Sequence, residues 1–233
     1  LEGGMADVRQ AIALAPSHIS YYQLTLEPNT LFHARPPRLP EDELLADIEE
    51  AGQALLAQAG YRQYEVSAYA KEGFCCAHNL NYWEFGDYVG IGAGAHGKLT
   101  LPTEQYFLAS QPSSLSPKDT RPRGAWLILR RARVKNPRDY LALAGAPAAF
   151  DDEFVKPREA AFEFMLNALR LKEGFPPHLF QERVGIPLGL IRDALQKAEA
   201  AGLMDWDVQR IAPSAHGWRY LNDLMQYFLP EKV

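Results

Sequence analysis

The sequence predicts an α/β fold in its first half and a mostly helical second half. Two strand-like runs, at 19–26 and 64–69, enclose a helical pattern that begins at residue 41. From about Asp151 the apolar residues recur with helical spacing to the end of the chain. Strands that alternate with helices are typical of α/β folds, and successive amphipathic helices are typical of a separate helical domain.

The first half begins with a helix and continues as a strand–helix–strand unit. Residues 19–26 are rich in tyrosine, threonine and branched side chains, which favour a strand. A proline-containing stretch ends at Pro40, and the acids that follow it suit the first turn of a helix that stops at Gly60. With the run at 64–69 as the second strand, we expect parallel strands joined by a right-handed crossover.

The second half carries three apolar stripes at helical spacing and a short hairpin between the last two helices. The stripes consist of Phe162, Met165, Leu166 and Leu169; Leu190, Ile191, Ala194, Leu195 and Ala198; and Leu221, Leu224, Met225 and Phe228. The predicted hairpin strands are 202–206 and 208–212. Helix, turn, helix and hairpin form a winged-helix-like arrangement, which raises DNA binding as a hypothesis.

The charge balance opposes nucleic-acid binding. Residues 178–233 contain six Lys or Arg and seven Asp or Glu, and the whole chain has a formal net charge of −5. A groove-binding domain needs net positive charge to displace counterions, so we expect packing or partner docking instead. No apolar run approaches the length of a transmembrane helix, and two adjacent cysteines do not form a disulfide framework. A cytoplasmic location is predicted, with peripheral attachment at the inner membrane left open.

The most informative segment is residues 78–83, which read HNLNYW. A neutral imidazole such as that of His78 can ligate iron, and flat aromatic rings such as those of Tyr82 and Trp83 can stack on a flat cofactor. The alternative is a buried helix start, capped by His78 or Asn79, with both aromatic residues in the core. The spacing alone leaves both interpretations open.

The HNxxYW element resembles a known family when it is taken with its surroundings. It follows the run QYEVS at 63–67 and precedes the glycine-rich run GDYVGIGAGAH at 86–96. Together these segments resemble HemW-type haem chaperones, in the oxygen-independent coproporphyrinogen III oxidase-like branch of the radical SAM proteins. The resemblance extends upstream through 18–30 and, more weakly, through the C-terminal helices at 156–229.

The resemblance implies a fold and a division of the chain. Residues 1–100 are expected to form the C-terminal part of a TIM-like radical SAM barrel. Residues 101–150 would connect it, through a basic loop, to a helical, winged-helix-like domain at 151–233. The basic loop contains Arg121, Arg123, Arg130, Arg131, Arg133 and Lys135, with Trp126 among them. These side chains would either meet haem propionates or a phosphate, or form a solvated basic surface.

For function, the resemblance implies a haem-binding and haem-delivery protein. His78 would be the iron ligand, with Tyr82 and Trp83 beside the macrocycle. Asn79 would cap the local turn or bind the other nitrogen of the ligand histidine. Haem-accepting apoproteins such as respiratory enzymes are the implied partners. The alternative is an oxygen-independent coproporphyrinogen III oxidase, which decarboxylates propionates through a SAM-derived radical.

The family also implies a [4Fe-4S] cluster and S-adenosylmethionine. Gly92, Gly94 and His96 would lie near the SAM site, although a tight turn at the end of a strand explains the glycines equally well. The CxxxCxxC motif that holds the cluster does not occur, since the chain has only Cys75 and Cys76. We therefore expect a C-terminal portion of a longer protein, inactive alone as a radical enzyme.

The remaining ionisable candidates are given ordinary roles. A free thiol beside haem is a possible iron ligand, but reduced cysteines beside a loop are the expected assignment. Glu65 is expected in a cross-strand ion pair. The other histidines carry no partner pattern and are predicted to be structural or at the surface; they are His18, His33, His178 and His216.

Overall fold

The computed structural model describes residues 1–102 and 126–230. Its contacts divide the chain into two compact units, Leu1–Asn79 and Leu80–Val233. Helix α4 (Ala77–Trp83) crosses the boundary, so its residues are described with the unit to which each belongs. The division at residues 100 and 150 that the sequence suggested stays a prediction.

The first unit contains two longer helices and a small sheet. In chain order its elements are helix α1 (Glu2–Ala13), strand β1 (His18–Ser20), helix α2 (Leu31–Ala34), helix α3 (Asp42–Gln58), and strands β2 (Arg62–Glu65) and β3 (Ala68–Ala70). Helix α3 begins with two acids in its first turn and is followed by Gly60 at φ +84°, as predicted. Its fully buried residue is Leu56, which packs in a core with Val8, Tyr61 and Tyr69.

The predicted pairing of the first unit's strands is wrong. The run at 64–69 is not one strand, because the chain turns at residues 66–67 and forms the antiparallel pair β2–β3. The sheet order is β1-β3-β2, and β1 also pairs with β3 in antiparallel fashion. Strands β1 and β2 therefore run in the same direction but are separated by β3. The strand predicted at 19–26 is limited to His18–Ser20.

Glu65 explains the turn. Its carboxylate, with only 1% of the residue exposed, accepts hydrogen bonds from the backbone N–H of Ser67 at 3.2 Å and from the Ser67 hydroxyl at 3.3 Å. A carboxylate that bonds the backbone two residues ahead favours a turn over a continuous strand. The expected ion pair of Glu65 is absent among the described residues.

The second unit contains a three-stranded sheet, several helices and a hairpin. After α4 come strands β4 (His96–Pro102) and β5 (Trp126–Arg133), helix α5 (Pro137–Ala142), strand β6 (Phe150–Phe154), helices α6 (Pro157–Ala168), α7 (Pro177–Val184) and α8 (Arg192–Ala200), strands β7 (Met204–Trp206) and β8 (Ile211–Pro213), and helices α9 (Ala215–Arg219) and α10 (Leu221–Gln226). The sheet order β4-β5-β6 is antiparallel throughout.

The second half is helical as predicted, except that Leu190 of the second stripe is 69% exposed and precedes α8 in a short 3-10 turn. Members of all three apolar stripes, among them Met165, Leu195 and Leu224, are fully or almost fully buried in one core. The predicted hairpin is the antiparallel pair β7–β8. The architecture is therefore mixed α/β, and none of the sheets in the described part of the chain closes on itself. Among the described residues, no helix combines the length and apolar character that a bilayer crossing requires.

Candidate functional site

Helix α4 carries the HNxxYW element and is held at its start by one tyrosine. The hydroxyl oxygen of Tyr64, on β2, accepts a hydrogen bond from the side-chain amide of Asn79 at 3.1 Å and from the backbone N–H of Cys76 at 3.3 Å. The same hydroxyl lies 2.9 Å from Nε2 of His18 on β1. Burial raises the pKa of Tyr64, so the phenol stays protonated. The sheet thus fixes the first turn of α4.

His78 is exposed on this helix. The preceding residue, Ala77, is also exposed, whereas the following residue, Asn79, is half-buried and bonded to Tyr64. In an α-helix, residues four apart share a side, which places His78 with Tyr82 and Asn79 with Trp83. The imidazole is therefore accessible to a ligand from solvent. The exposed imidazole does not fit the alternative in which His78 is buried at a helix start.

Tyr82 and Trp83, in the second unit, pack against other aromatic rings. The ring centroids of Tyr82 and Trp83 are 5.2 Å apart in an edge-to-face arrangement, and those of Tyr82 and Tyr88 are 5.5 Å apart. The Arg170 guanidinium lies 5.4 Å from the Trp83 ring centroid, within cation–π range. Tyr82 is 37% exposed, whereas the indole nitrogen of Trp83 is buried and has no hydrogen-bond partner among the described residues. Tyr82 thus offers more free ring surface than Trp83.

The two asparagines of the element have separate structural partners. Asn79 donates to Tyr64, and Asn81 donates to the carbonyl oxygen of Asp87 at 3.0 Å. Helix α4 ends at Trp83. Two residues later Phe85 adopts φ +57°, which is outside the helical region, and its side chain is almost completely buried. Gly86 then donates to the carbonyl oxygen of Asn81 at 2.7 Å, which satisfies a terminal carbonyl of the helix.

A buried lysine follows the element, and its sequence context is that of an ordinary surface lysine. Lys98 on β4 is 1% exposed and donates to Oδ1 of Asp87 at 2.9 Å, to the carbonyl oxygen of Phe85 at 2.9 Å, and to the hydroxyl of Thr100 at 3.2 Å. Asp87 also accepts from the backbone N–H and the hydroxyl of Thr100, both at 2.7 Å. This network fixes the residues after α4 to β4.

The glycine-rich segment is shaped by backbone geometry. Gly92 and Gly94 have φ of +109° and +71°, a region that L side chains rarely adopt. Gly90 approaches the backbone of His96 so closely that a Cβ there would collide with the His96 carbonyl oxygen. The N–H of Gly92 donates to the Tyr140 hydroxyl at 3.2 Å. The tight-turn explanation therefore applies to these glycines, and the SAM contacts of Gly92, Gly94 and His96 stay a prediction.

The described part of the basic segment is engaged within the second unit. Arg130 pairs with Glu163 and also donates to the Tyr88 hydroxyl at 3.0 Å. Arg131 forms a two-bond pair with Asp152, both at 2.7 Å, and Arg133 donates to the carbonyl oxygen of Gly90 at 3.3 Å. The guanidinium group of each of these three arginines therefore donates to an acceptor within the second unit. Arg121 and Arg123 lie outside the described residues.

The donor set does not fit an iron–sulfur cluster. Cys75 is exposed, Cys76 is half-buried, and both are free thiols at adjacent positions. A cubane cluster takes its protein ligands from three or four thiolates, which two cysteines do not supply. Among the described residues, no group of three or more His, Cys, Asp or Glu side chains is arranged to hold a metal ion. His78 is therefore a solitary imidazole, which suits axial ligation of a macrocycle better than chelation of a bare ion.

Comparisons with known proteins agree with these observations. The profile of the HemN C-terminal domain matches residues 155–220. A Haemophilus influenzae protein named "Heme chaperone HemW" is 41% identical over 232 residues, covering 100% of this chain and 54% of the relative. The Escherichia coli protein of the same name is 43% identical over 231 residues, covering 99% of this chain and 54% of the relative. The chain thus spans about half the length of the curated relatives it matches.

A solved structure shares the fold. Its title is "Coproporphyrinogen III oxidase (HemN) from Escherichia coli is a Radical SAM enzyme", and it matches with a TM-score of 0.62 over 95% of this chain and 50% of that chain. At 14% sequence identity this match shows the fold alone. The much higher identity to the two HemW proteins runs over the whole chain. The chain is thus similar over its whole length to part of two proteins named as HemW haem chaperones, and it shares the fold of the HemN structure.

Proposed function

We propose that this chain carries the haem-binding element of a haem-binding and haem-delivery protein, with His78 as the axial iron ligand. The observation that carries the proposal is the exposed, solitary imidazole on a helix whose start is fixed by the adjacent sheet. Relatives that are 41% and 43% identical over the whole chain are named as haem chaperones, which supports it.

The other residues of the element have graded roles in this proposal. Tyr82, 37% exposed, would lie beside the macrocycle. Trp83 packs edge-to-face against Tyr82 and would hold its ring in place. Asn79 acts through Tyr64 instead of touching haem, because its amide is already bonded to that hydroxyl. Haem-accepting apoproteins such as respiratory enzymes, a cytoplasmic location and peripheral contact with the inner membrane belong to the same proposal and rest on the family resemblance.

A radical SAM reaction is not assigned to these residues. The two cysteines do not fit a [4Fe-4S] cluster, and no step is routed through one. None of the contacts described above favours the oxidase alternative. The solved oxidase shares the fold of this chain at only 14% identity. Haem binding by contrast needs an axial donor, for which His78 is the proposed residue.

A haem titration followed by absorbance tests the proposal. The chain is expected to give a saturable Soret shift at about one haem per chain, and His78→Ala is expected to weaken binding by about tenfold or more through loss of the axial bond. Exposed His33 on α2 gives a matched control, since His33→Ala removes an accessible imidazole elsewhere in the same unit. Equal affinities for the native chain and His78→Ala would rule out His78 as the ligand.

The thiols need their own variant because a free cysteine also ligates ferric iron. Cys75→Ser combined with Cys76→Ser is expected to leave the Soret position and the affinity unchanged. A spectral shift in this double variant, together with normal binding by His78→Ala, would transfer the ligand role to the cysteines.

A further inference from the structure

The Tyr64 hydroxyl takes part in three hydrogen bonds within the first unit. It accepts from two donors of the α4 start, the Asn79 amide and the Cys76 backbone N–H. A phenolic oxygen has two lone pairs and one proton, so both lone pairs are occupied. The same hydroxyl lies 2.9 Å from Nε2 of His18, which accepts the phenolic proton when its own proton is on Nδ1. Three segments of the unit therefore meet at one oxygen atom.

The two donors flank His78 along the chain. Cys76 lies two residues before it and Asn79 lies one residue after it, and both bonds end on the same tyrosine. Helix α4 has only seven residues, and isolated helices of this length are unstable without tertiary contacts. The backbone of His78 consequently owes its orientation to the Tyr64 hydroxyl more than to the helix itself.

We propose that Tyr64 is a positioning residue for the iron ligand, acting through the backbone and side chain on either side of His78, with His18 orienting the phenol. The inference rests on the proposed function, because it concerns the same imidazole. Neither Tyr64 nor His18 touches haem in this arrangement. Their role is to fix the direction in which His78 leaves the helix, as partners of metal-ligating histidines commonly do.

Tyr64→Phe tests the role, because it removes the hydroxyl and keeps the ring. Tyr21→Phe is the matched control, since the Tyr21 hydroxyl donates to the carbonyl oxygen of Ile48 on α3, at 2.8 Å in the same unit. In haem titrations Tyr64→Phe is expected to lower affinity by about tenfold and to shift the Soret maximum. Tyr21→Phe is expected to leave both unchanged. His18→Leu is expected to act in the same direction as Tyr64→Phe, but less strongly.

Amide hydrogen exchange without haem gives a second readout. In Tyr64→Phe the amides of residues 76–79 are expected to exchange about tenfold faster than in Tyr21→Phe, because one anchored turn is released. Native haem binding by Tyr64→Phe, while His78→Ala loses binding, would overturn the positioning role and leave the proposed function intact. Native binding by His78→Ala would overturn the proposed function, and with it the role of Tyr64.

Discussion

Asp87→Ala is expected to destabilise the second unit by about 3 kcal/mol, which is large for a residue whose side chain is 41% exposed. The reason is its partner, since the Lys98 side chain is only 1% exposed and depends on Asp87 for its counter-charge. The variant also leaves the backbone N–H of Thr100 without its acceptor. Urea denaturation of the native chain and the variant measures the difference.

Asp152→Ala is the matched control for charge removal from the same sheet. Its partner Arg131 is 30% exposed at the side chain, and water can replace the carboxylate there. Removing an exposed ion pair costs about 1 kcal/mol or less. If Asp152→Ala were as destabilising as Asp87→Ala, the burial of Lys98 would not explain the effect.

The Asp87 variant should also respond to pH in a defined direction. Burial lowers the pKa of Lys98, and the hydrogen bond and charge of Asp87 raise it part of the way back. Without Asp87 the folded-state pKa of Lys98 falls further, so between that pKa and the unfolded-state pKa of about 10.4 the unfolded chain binds more protons than the folded one. Stability of the variant therefore rises with pH in that window, and its deficit is expected to be smaller at about pH 9 than at pH 7.

The helical half was predictable because its signals are local. Apolar residues at helical spacing place Met165, Leu195 and Leu224 in a core, and each of these residues is buried. The strands of the first unit were not predictable in the same way. A run such as 64–69 looks continuous by propensity, and the turn depends on the Glu65 carboxylate reaching Ser67. Strand pairing is non-local, so composition did not reveal that β3 separates β1 from β2.

At the site, the sequence identified the helix but not what holds it. The HNLNYW segment lies in α4 with His78 exposed, and the role of His78 as an iron ligand stays a prediction. Tyr64 and His18 were missed because they are distant in sequence from α4 and meet it only through a phenolic oxygen. The available signal was the hydroxyl of Tyr64, which lies in the strand-like run that precedes the HNLNYW segment. Lys98 gave none, since a lysine in a strand is normally expected at the surface.

Phe164→Ala is expected to have the largest effect on stability, a loss of about 3–5 kcal/mol from the second unit. Phe164 is completely buried on α6 and forms edge-to-face contacts with Phe85, Phe175 and Phe180, whose ring centroids lie 5.9, 5.0 and 5.2 Å away. Alanine removes all three contacts and leaves a cavity that the surrounding packed side chains cannot close. Urea denaturation monitored by far-ultraviolet circular dichroism measures the loss.

The control is Phe162→Ala, because Phe162 lies on the same helix but is only partly buried at the edge of this core. Its expected loss is about half that of Phe164→Ala, since less apolar surface returns to water. A ranking in the opposite order would show that the aromatic cluster is not the centre of the unit. Phe85 follows α4 by two residues, is almost completely buried and packs against Phe164, so Phe164→Ala should also loosen Tyr82 and Trp83. A stable core is in this way a condition for the aromatic side of the proposed haem site.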